Sequence, residues 1–113
     1  MGKYYNLDSV NEMAGGDDDF LKIIVQTFLE EIPPDVKAMI EAIDNGNPNL
    51  AYQFAHKMKP NLELFGLNLM DQILLIEAWS KENKNDSVAQ EAGNKISKKV
   101  TLAEAELKND FGL

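Results

Sequence analysis

The stretch FLKIIVQTFLEEIPPDVKAMIEAI, residues 20–43, decides the fold class of this chain. Its large apolar residues recur at spacings of three and four, which is the period of a helix packed on one side. These residues are Phe20, Ile24, Phe28, Ile32, Val36, Met39 and Ile43. The phase continues through Pro33 and Pro34, although prolines usually end a helix. The pattern therefore predicts one kinked helix or two nearly collinear helices, ending at residues 44–46.

The residues before this stretch carry helix-start signals. Asp17, Asp18 and Asp19 are expected to cap the long helix, because carboxylates accept hydrogen bonds from free N–H groups and favour the helix dipole. A metal site is the alternative for these aspartates, but the central Gly and terminal Glu of a calcium loop are missing. A short helix is predicted from Asp8 to Met13, with Asp8 as its N-cap and Gly15–Gly16 after its end.

The segments after residue 46 continue the helical pattern. Pro48 marks the start of a helix, where a missing N–H is harmless, and one apolar stripe follows it. The stripe consists of Ala51, Phe54, Met58, Leu62 and Phe65. The segment from Leu67 to Glu82 is apolar on more than one side, which predicts a mostly buried helix. Gly66 between them is either a C-cap or a close helix contact.

A polar turn at residues 83–86 precedes the last predicted helix. The seam of that helix contains Val88, Ala92, Ile96, Val100, Ala103 and Leu107. Outside the seam, Glu91 and Lys95 form one i,i+4 pair and Glu104 and Lys108 form another. No stretch shows the alternation of a half-buried strand. The sequence thus predicts an all-α fold, an antiparallel four-helix bundle with a short extra N-terminal helix, as a single domain over residues 1–113.

Composition narrows the classes of partner. The 113 residues include 19 acidic and 11 basic side chains, for a formal charge of −8, and no cysteine. This charge balance argues against binding to nucleic acid or to an anionic membrane surface. The absence of cysteine excludes disulfides and thiolate zinc sites. The N-terminal residues show no targeting segment, and the longest aliphatic run, residues 73–76, is far too short to span a membrane. We expect a cytoplasmic protein.

The single histidine, His56, is the one candidate for chemistry. At 100° per residue it projects roughly 160° from the centre of the apolar stripe, so we expect it to face solvent. Tyr52 lies one turn before it, and Lys59, Pro60 and Glu63 share its face. The sequence shows no Ser/His/Asp arrangement around this histidine, and a single histidine cannot form a two-histidine zinc motif. A neutral imidazole can attack phosphorus, and a cation one turn away can hold phosphoryl oxygens; an incidental surface histidine is the alternative.

Residues 55–66, AHKMKPNLELFG, resemble the signature of histidine phosphotransfer (HPt) domains, Ala-His-x-Leu-Lys-Gly-Ser-x-x-x-x-Gly. The likeness extends to the helix with Phe20 and Phe28, to the Asn45-Gly46 turn and to Ile76-Glu77. It implies that His56 accepts a phosphoryl group from a receiver-domain aspartate and passes it to another receiver. It also implies that Lys59 stabilises the phosphate and that Gly66 is structural.

The same resemblance implies how the chain interacts. The expected docking surface around His56 consists of Tyr52, Gln53, Lys57, Pro60 and Glu63. The implied partners are response-regulator receiver domains or a hybrid sensor histidine kinase, with Mg²⁺ on the partner receiver and no cofactor on this chain. It would be a monomeric phosphocarrier, not an enzyme.

Two positions depart from the HPt signature. Pro60 replaces its Gly and Asn61 replaces its Ser. Pro60 has no N–H to donate to the His56 carbonyl, so a kink just after the histidine is expected. The departure leaves two alternatives to phosphotransfer: an HPt-like adaptor that docks a receiver without accepting phosphate, and a small helical scaffold with an incidental histidine.

Overall fold

The computed structural model describes residues 4–82 and 86–113, and its regular structure over these ranges is helical. The five helices are α1 (Asp8–Ala14), α2 (Asp18–Asp44), α3 (Pro48–Leu64), α4 (Met70–Glu82) and α5 (Asp86–Phe111). Helices α2 and α4 each pack against both α3 and α5, and α1 lies on α2. The prediction of an all-α protein is confirmed. Of the predicted polar turn at residues 83–86, residues 83–85 lie outside the described ranges and Asp86 begins α5.

The long helix α2 is continuous through Pro33 and Pro34. Its N-cap is Asp17, whose carboxylate accepts hydrogen bonds from the N–H groups of Asp19 at 3.0 Å and Phe20 at 3.1 Å. The helix ends at Asp44, as the sequence predicts. Asp17 therefore caps the helix, with Asp18 and Asp19 in its first turn. One helix is observed and not two, and a kink at the prolines stays a prediction.

The core is built from one face of each long helix. Among its largest fully buried side chains are Phe28, Phe65, Ile32, Met39, Met58, Leu67, Ile76, Ile96 and Leu107. The α2 stripe is buried from Phe28 onward, but Phe20 is 41% exposed. Each step of four residues advances about 40° around a helix, which places Phe20 about 80° from Phe28. Val25 is completely buried near the start of this helix.

The prediction of a mostly buried helix over Leu67 to Glu82 is wrong. Helix α4 begins only at Met70, and the residues before it form a connection in which Leu67 and Leu69 are buried. Within α4, Leu74 is 49% and Leu75 is 43% exposed. Because the main packing partners of α4 within the described ranges are α3 and α5, one of its sides faces outward.

The assignment of Asp8 as an N-cap is also wrong. Leu7 is the N-cap residue of α1, and Asp8 lies in the first turn. The Asp8 N–H donates to the side-chain oxygen of Asn6 at 2.8 Å. The side chain that accepts a hydrogen bond at the start of α1 is therefore that of Asn6 and not that of Asp8. Gly15 closes α1 in the left-handed conformation, as predicted.

The seam of α5 is buried from Ala89 to Leu107, whereas Val88 at its start is 36% exposed. Both predicted ion pairs of this helix are present. Lys95 lies 3.4 Å from Glu91, and Lys108 lies 3.2 Å from Glu104.

Candidate functional site

Helix α3 presents the histidine. Asn47 caps this helix by accepting a hydrogen bond from the Leu50 N–H at 3.3 Å, and Pro48 follows in the first turn. The buried face of the helix consists of Ala51, Ala55, Met58 and Leu62. His56 lies on the opposite side and is exposed, in agreement with the prediction from helical spacing. The packing of α3 thus leaves the imidazole open to an incoming partner.

Tyr52 lies against the imidazole. The ring centroids of Tyr52 and His56 are 5.6 Å apart, and the ring planes are inclined by 30°. The tyrosine is half-buried and the histidine is exposed. A stacked neighbour one turn earlier restricts the orientation of the imidazole while leaving it accessible.

The two lysines beside His56 have different surroundings. The Lys57 ammonium lies 3.1 Å from the carboxylate of Asp35 on α2. Lys59 is half-buried, and no ion pair of its ammonium is observed within residues 4–82 and 86–113. Of these two lysines, the one without an observed ion pair in the described ranges is therefore Lys59.

Sequence reasoning did not find Asp35. This aspartate is only 8% exposed, and it joins α2 to α3 through its contact with Lys57. The sequence feature that could have indicated its burial is its position directly before Val36 of the apolar stripe. Lys57, assigned to the docking surface, is consequently held at the α2 edge of that surface.

The other side of α3 borders a groove of about 250 Å³ between the end of α3 and the start of α4. Lys59, Glu63 and Gly66 line it from the α3 side, and Met70 and Ile73 line it from α4. Lys59 thus lies at the α4 edge of the face that carries His56.

The remaining predicted docking residues share the outward face of α3. Gln53, Pro60 and Glu63 are exposed, and the helix continues through Pro60 to Leu64. The structure therefore brings the predicted site residues together on one helix face, with Lys57 and Lys59 at its two edges. A bend at Pro60 stays a prediction.

Gly66 takes the first of the two roles that the sequence left open, at the end of a helix, and its close contact is of another kind. Its φ of +64° is a left-handed conformation, and its N–H donates to the Glu63 carbonyl at 3.0 Å, as at a helix end. A Cβ at this position would lie 2.7 Å from the Cβ of Asn6. The Asn6 N–H also donates to the Phe65 carbonyl at 2.7 Å. The close contact is thus with the N-terminal segment and not with a helix.

Gly66→Ala is expected to lower the free energy of unfolding by about 2 to 4 kcal/mol, since the left-handed conformation and the Asn6 contact both oppose a Cβ. Gly46→Ala is the control, because Gly46 has a φ of +67° with no atom within 4 Å of its Cβ position. It should lose only about 1 to 2 kcal/mol. Urea unfolding followed by circular dichroism measures both, and equal losses would contradict the contact.

The described ranges contain no group of three or more histidine, aspartate or glutamate side chains that could hold a metal ion. None of the helices in these ranges is both long enough and apolar enough to cross a membrane.

Comparison of the chain with protein-family models, with curated proteins and with solved structures finds no match.

Proposed function

We propose that this chain is a histidine phosphotransfer protein, in which His56 accepts a phosphoryl group from a receiver-domain aspartate and passes it to another receiver. One observation carries the proposal. His56 is exposed on the outward face of α3, and the half-buried Lys59 one turn later has no ion-pair partner within the described ranges. A nucleophile and an available cation thus share a surface that another domain can reach.

The proposed architecture is an antiparallel four-helix bundle of α2 to α5, with α1 as the extra helix, in a single domain over residues 1–113. It is supported by the packing of α2 and α4 against both α3 and α5, and by the short connection between α2 and α3. In such a bundle the outer face of each helix is free. A receiver can therefore approach α3 without opening the core.

The proposed phosphoryl transfer uses two groups of this chain, a ring nitrogen of His56 and the ammonium of Lys59. A ring nitrogen of His56 attacks the phosphorus of an aspartyl phosphate, the N–P bond forms, and the P–O bond to the aspartate breaks. The aspartate leaves as a carboxylate, and the transfer to the second receiver is the reverse of these steps. The Lys59 ammonium would hold a phosphoryl oxygen through a charge-assisted hydrogen bond. Attack in line with the breaking bond needs an unobstructed approach, which an exposed imidazole on a helix face allows.

The proposed partners are response-regulator receiver domains or a hybrid sensor histidine kinase. The chain would act as a monomeric cytoplasmic phosphocarrier and not as an enzyme, and Mg²⁺ would be bound by the receiver. Neither a nucleic acid nor a membrane is proposed as a partner.

The direct test incubates the protein with a panel of phosphorylated receivers and detects phosphate on the chain. Phosphohistidine is labile in acid and stable in base, so a label with these properties supports the proposal. Binding of receivers without any label would instead support the adaptor. That alternative has one observation in its favour, since the ring of Pro60 is exposed four residues after His56, where the signature has glycine.

Lys59→Ala is expected to slow phosphoryl acceptance by about 10- to 100-fold, because a hydrogen bond to a charged group contributes about 1.5 to 3 kcal/mol. Quench-flow measurement with one phosphorylated receiver gives the rate. Lys108→Ala is the control, since that ammonium is paired with Glu104 on α5, which lies across the core from α3, and its rate should stay within about threefold of the original protein. A Lys59 variant as fast as the Lys108 variant would contradict the assignment.

A further inference from the structure

A second groove, of about 320 Å³, is bordered by α5, by the first turn of α4 with the residues just before it, and by Tyr4. Six of its lining residues are Tyr4, Gln72, Lys95, Lys98, Lys99 and Leu102. Helices α3 and α5 both pack between α2 and α4, so α5 lies across the core from the helix that carries His56. The lining of this groove contains no residue of the outward face of α3, although Asn68 and Leu69 line both this groove and the one beside Lys59. The ligand proposed for it does not involve His56.

The groove concentrates positive charge on an acidic protein. Three of the chain's eleven basic residues lie within five positions of α5, although the net charge is −8. Lys95, Lys98 and Lys99 are spaced by three and four residues, which places them on one side of the helix. Acidic groups more than a Debye length away, about 8 Å at physiological salt, are largely screened. The local field in the groove is therefore set by the lysines and their nearest neighbours.

Two of these ammonium groups are available to a ligand. Lys95 lies 3.4 Å from Glu91, but no ion pair of Lys98 or Lys99 is observed in the described part of the chain. Glu106, the other acidic neighbour of this side of α5, accepts a hydrogen bond from the Tyr4 N–H at 2.6 Å. Within residues 4–82 and 86–113, no carboxylate is therefore observed in an ion pair with Lys98 or Lys99.

The other walls supply different contacts. Gln72 brings an amide from α4, and Leu102 brings an apolar surface from α5. Tyr4 is 41% exposed, and its backbone is bound to Glu106. An exposed aromatic ring beside a cluster of ammonium groups suits a molecule with both a planar ring and an anionic end.

We propose that this groove binds a small molecule that carries a phosphate or polyphosphate group, with Lys98 and Lys99 holding the phosphate. Its volume lies at the low end of the range for small-molecule sites, about 300 to 1,000 Å³, which favours a compact ligand. A nucleoside phosphate would add stacking on Tyr4, whereas pyrophosphate would use the lysines alone.

The test is an NMR titration of the ¹⁵N-labelled protein at physiological salt with ADP, pyrophosphate, adenosine and a glutamate-rich peptide as separate probes. We expect saturable shifts with ADP or pyrophosphate, largest at Gln72 and along residues 95–102. Tighter binding of ADP than of pyrophosphate would identify a nucleoside phosphate, and equal binding would identify the phosphate group alone. Binding of adenosine as tight as that of ADP, or binding of the peptide only, would overturn the proposal.

Two double variants separate a site from general charge attraction. The Lys98→Gln/Lys99→Gln protein should bind the phosphate probe at least tenfold more weakly. Lys22→Gln/Lys37→Gln removes the same charge from two exposed positions of α2 and should leave the affinity within twofold. Equal weakening in both proteins, or the absence of saturable shifts in the original protein, would overturn the proposal. Because His56 is untouched, phosphoryl acceptance from a receiver tests the α3 face separately.

Discussion

His56→Gln is expected to abolish phosphoryl acceptance from every receiver that labels the original protein. Glutamine keeps a polar side chain of helix-compatible shape, but it has no nucleophilic nitrogen that can form the N–P bond. His56 is exposed, so the free energy of unfolding should change by no more than about 0.5 kcal/mol. The measurements are acid-labile phosphate on the chain after incubation with a phosphorylated receiver, and urea unfolding of the two proteins.

The variant also separates transfer from docking. A receiver that binds through the α3 face should bind His56→Gln with an affinity close to that of the original protein, since the surrounding side chains are unchanged. Phosphate on the variant with the same acid lability would show that another residue is labelled. A loss of stability like that of a core truncation would show that the imidazole is buried, contrary to the observed exposure.

Phe28→Ala is expected to lower the free energy of unfolding by about 3 to 5 kcal/mol, a large fraction of the stability of a small domain. Phe28 is 1% exposed, and its ring centroid lies 4.2 Å from that of Phe65, just beyond the end of α3. Its removal leaves a cavity at the contact between α2 and the end of the histidine-bearing helix.

Phe20→Ala is the matched control, because it is the same change on the same helix and in the same apolar stripe of the sequence. Phe20 is 41% exposed, and its truncation should lower the free energy of unfolding by less than about 1 kcal/mol. Urea unfolding by circular dichroism compares the two variants. Equal losses would mean that Phe20 is packed as tightly as Phe28, which the structure contradicts.

Several features followed from the sequence by itself because they depend on neighbours a few residues away. Helical spacing, the cap at Asp17 and the i,i+4 ion pairs of α5 are local interactions, and each is observed as predicted. The exposure of His56 could likewise be predicted from the sequence by itself. It required only the position of the apolar stripe on α3, since the angle between two residues of a helix is set by their separation in the sequence.

Other features were decided by the tertiary structure, because they join residues that are distant in the chain. Asp35 meets Lys57 across 22 positions, and helical spacing could not show that this ammonium has a partner on another helix. The Tyr5 hydroxyl donates to Asp110 at the end of α5.

The exposure of one side of α4 was also decided by the tertiary structure. The sequence shows that Leu74 and Leu75 are apolar, but not whether a neighbouring helix covers them. A local pattern determines where a side chain points on its own helix. Only the packing of the helices determines what, if anything, lies opposite it.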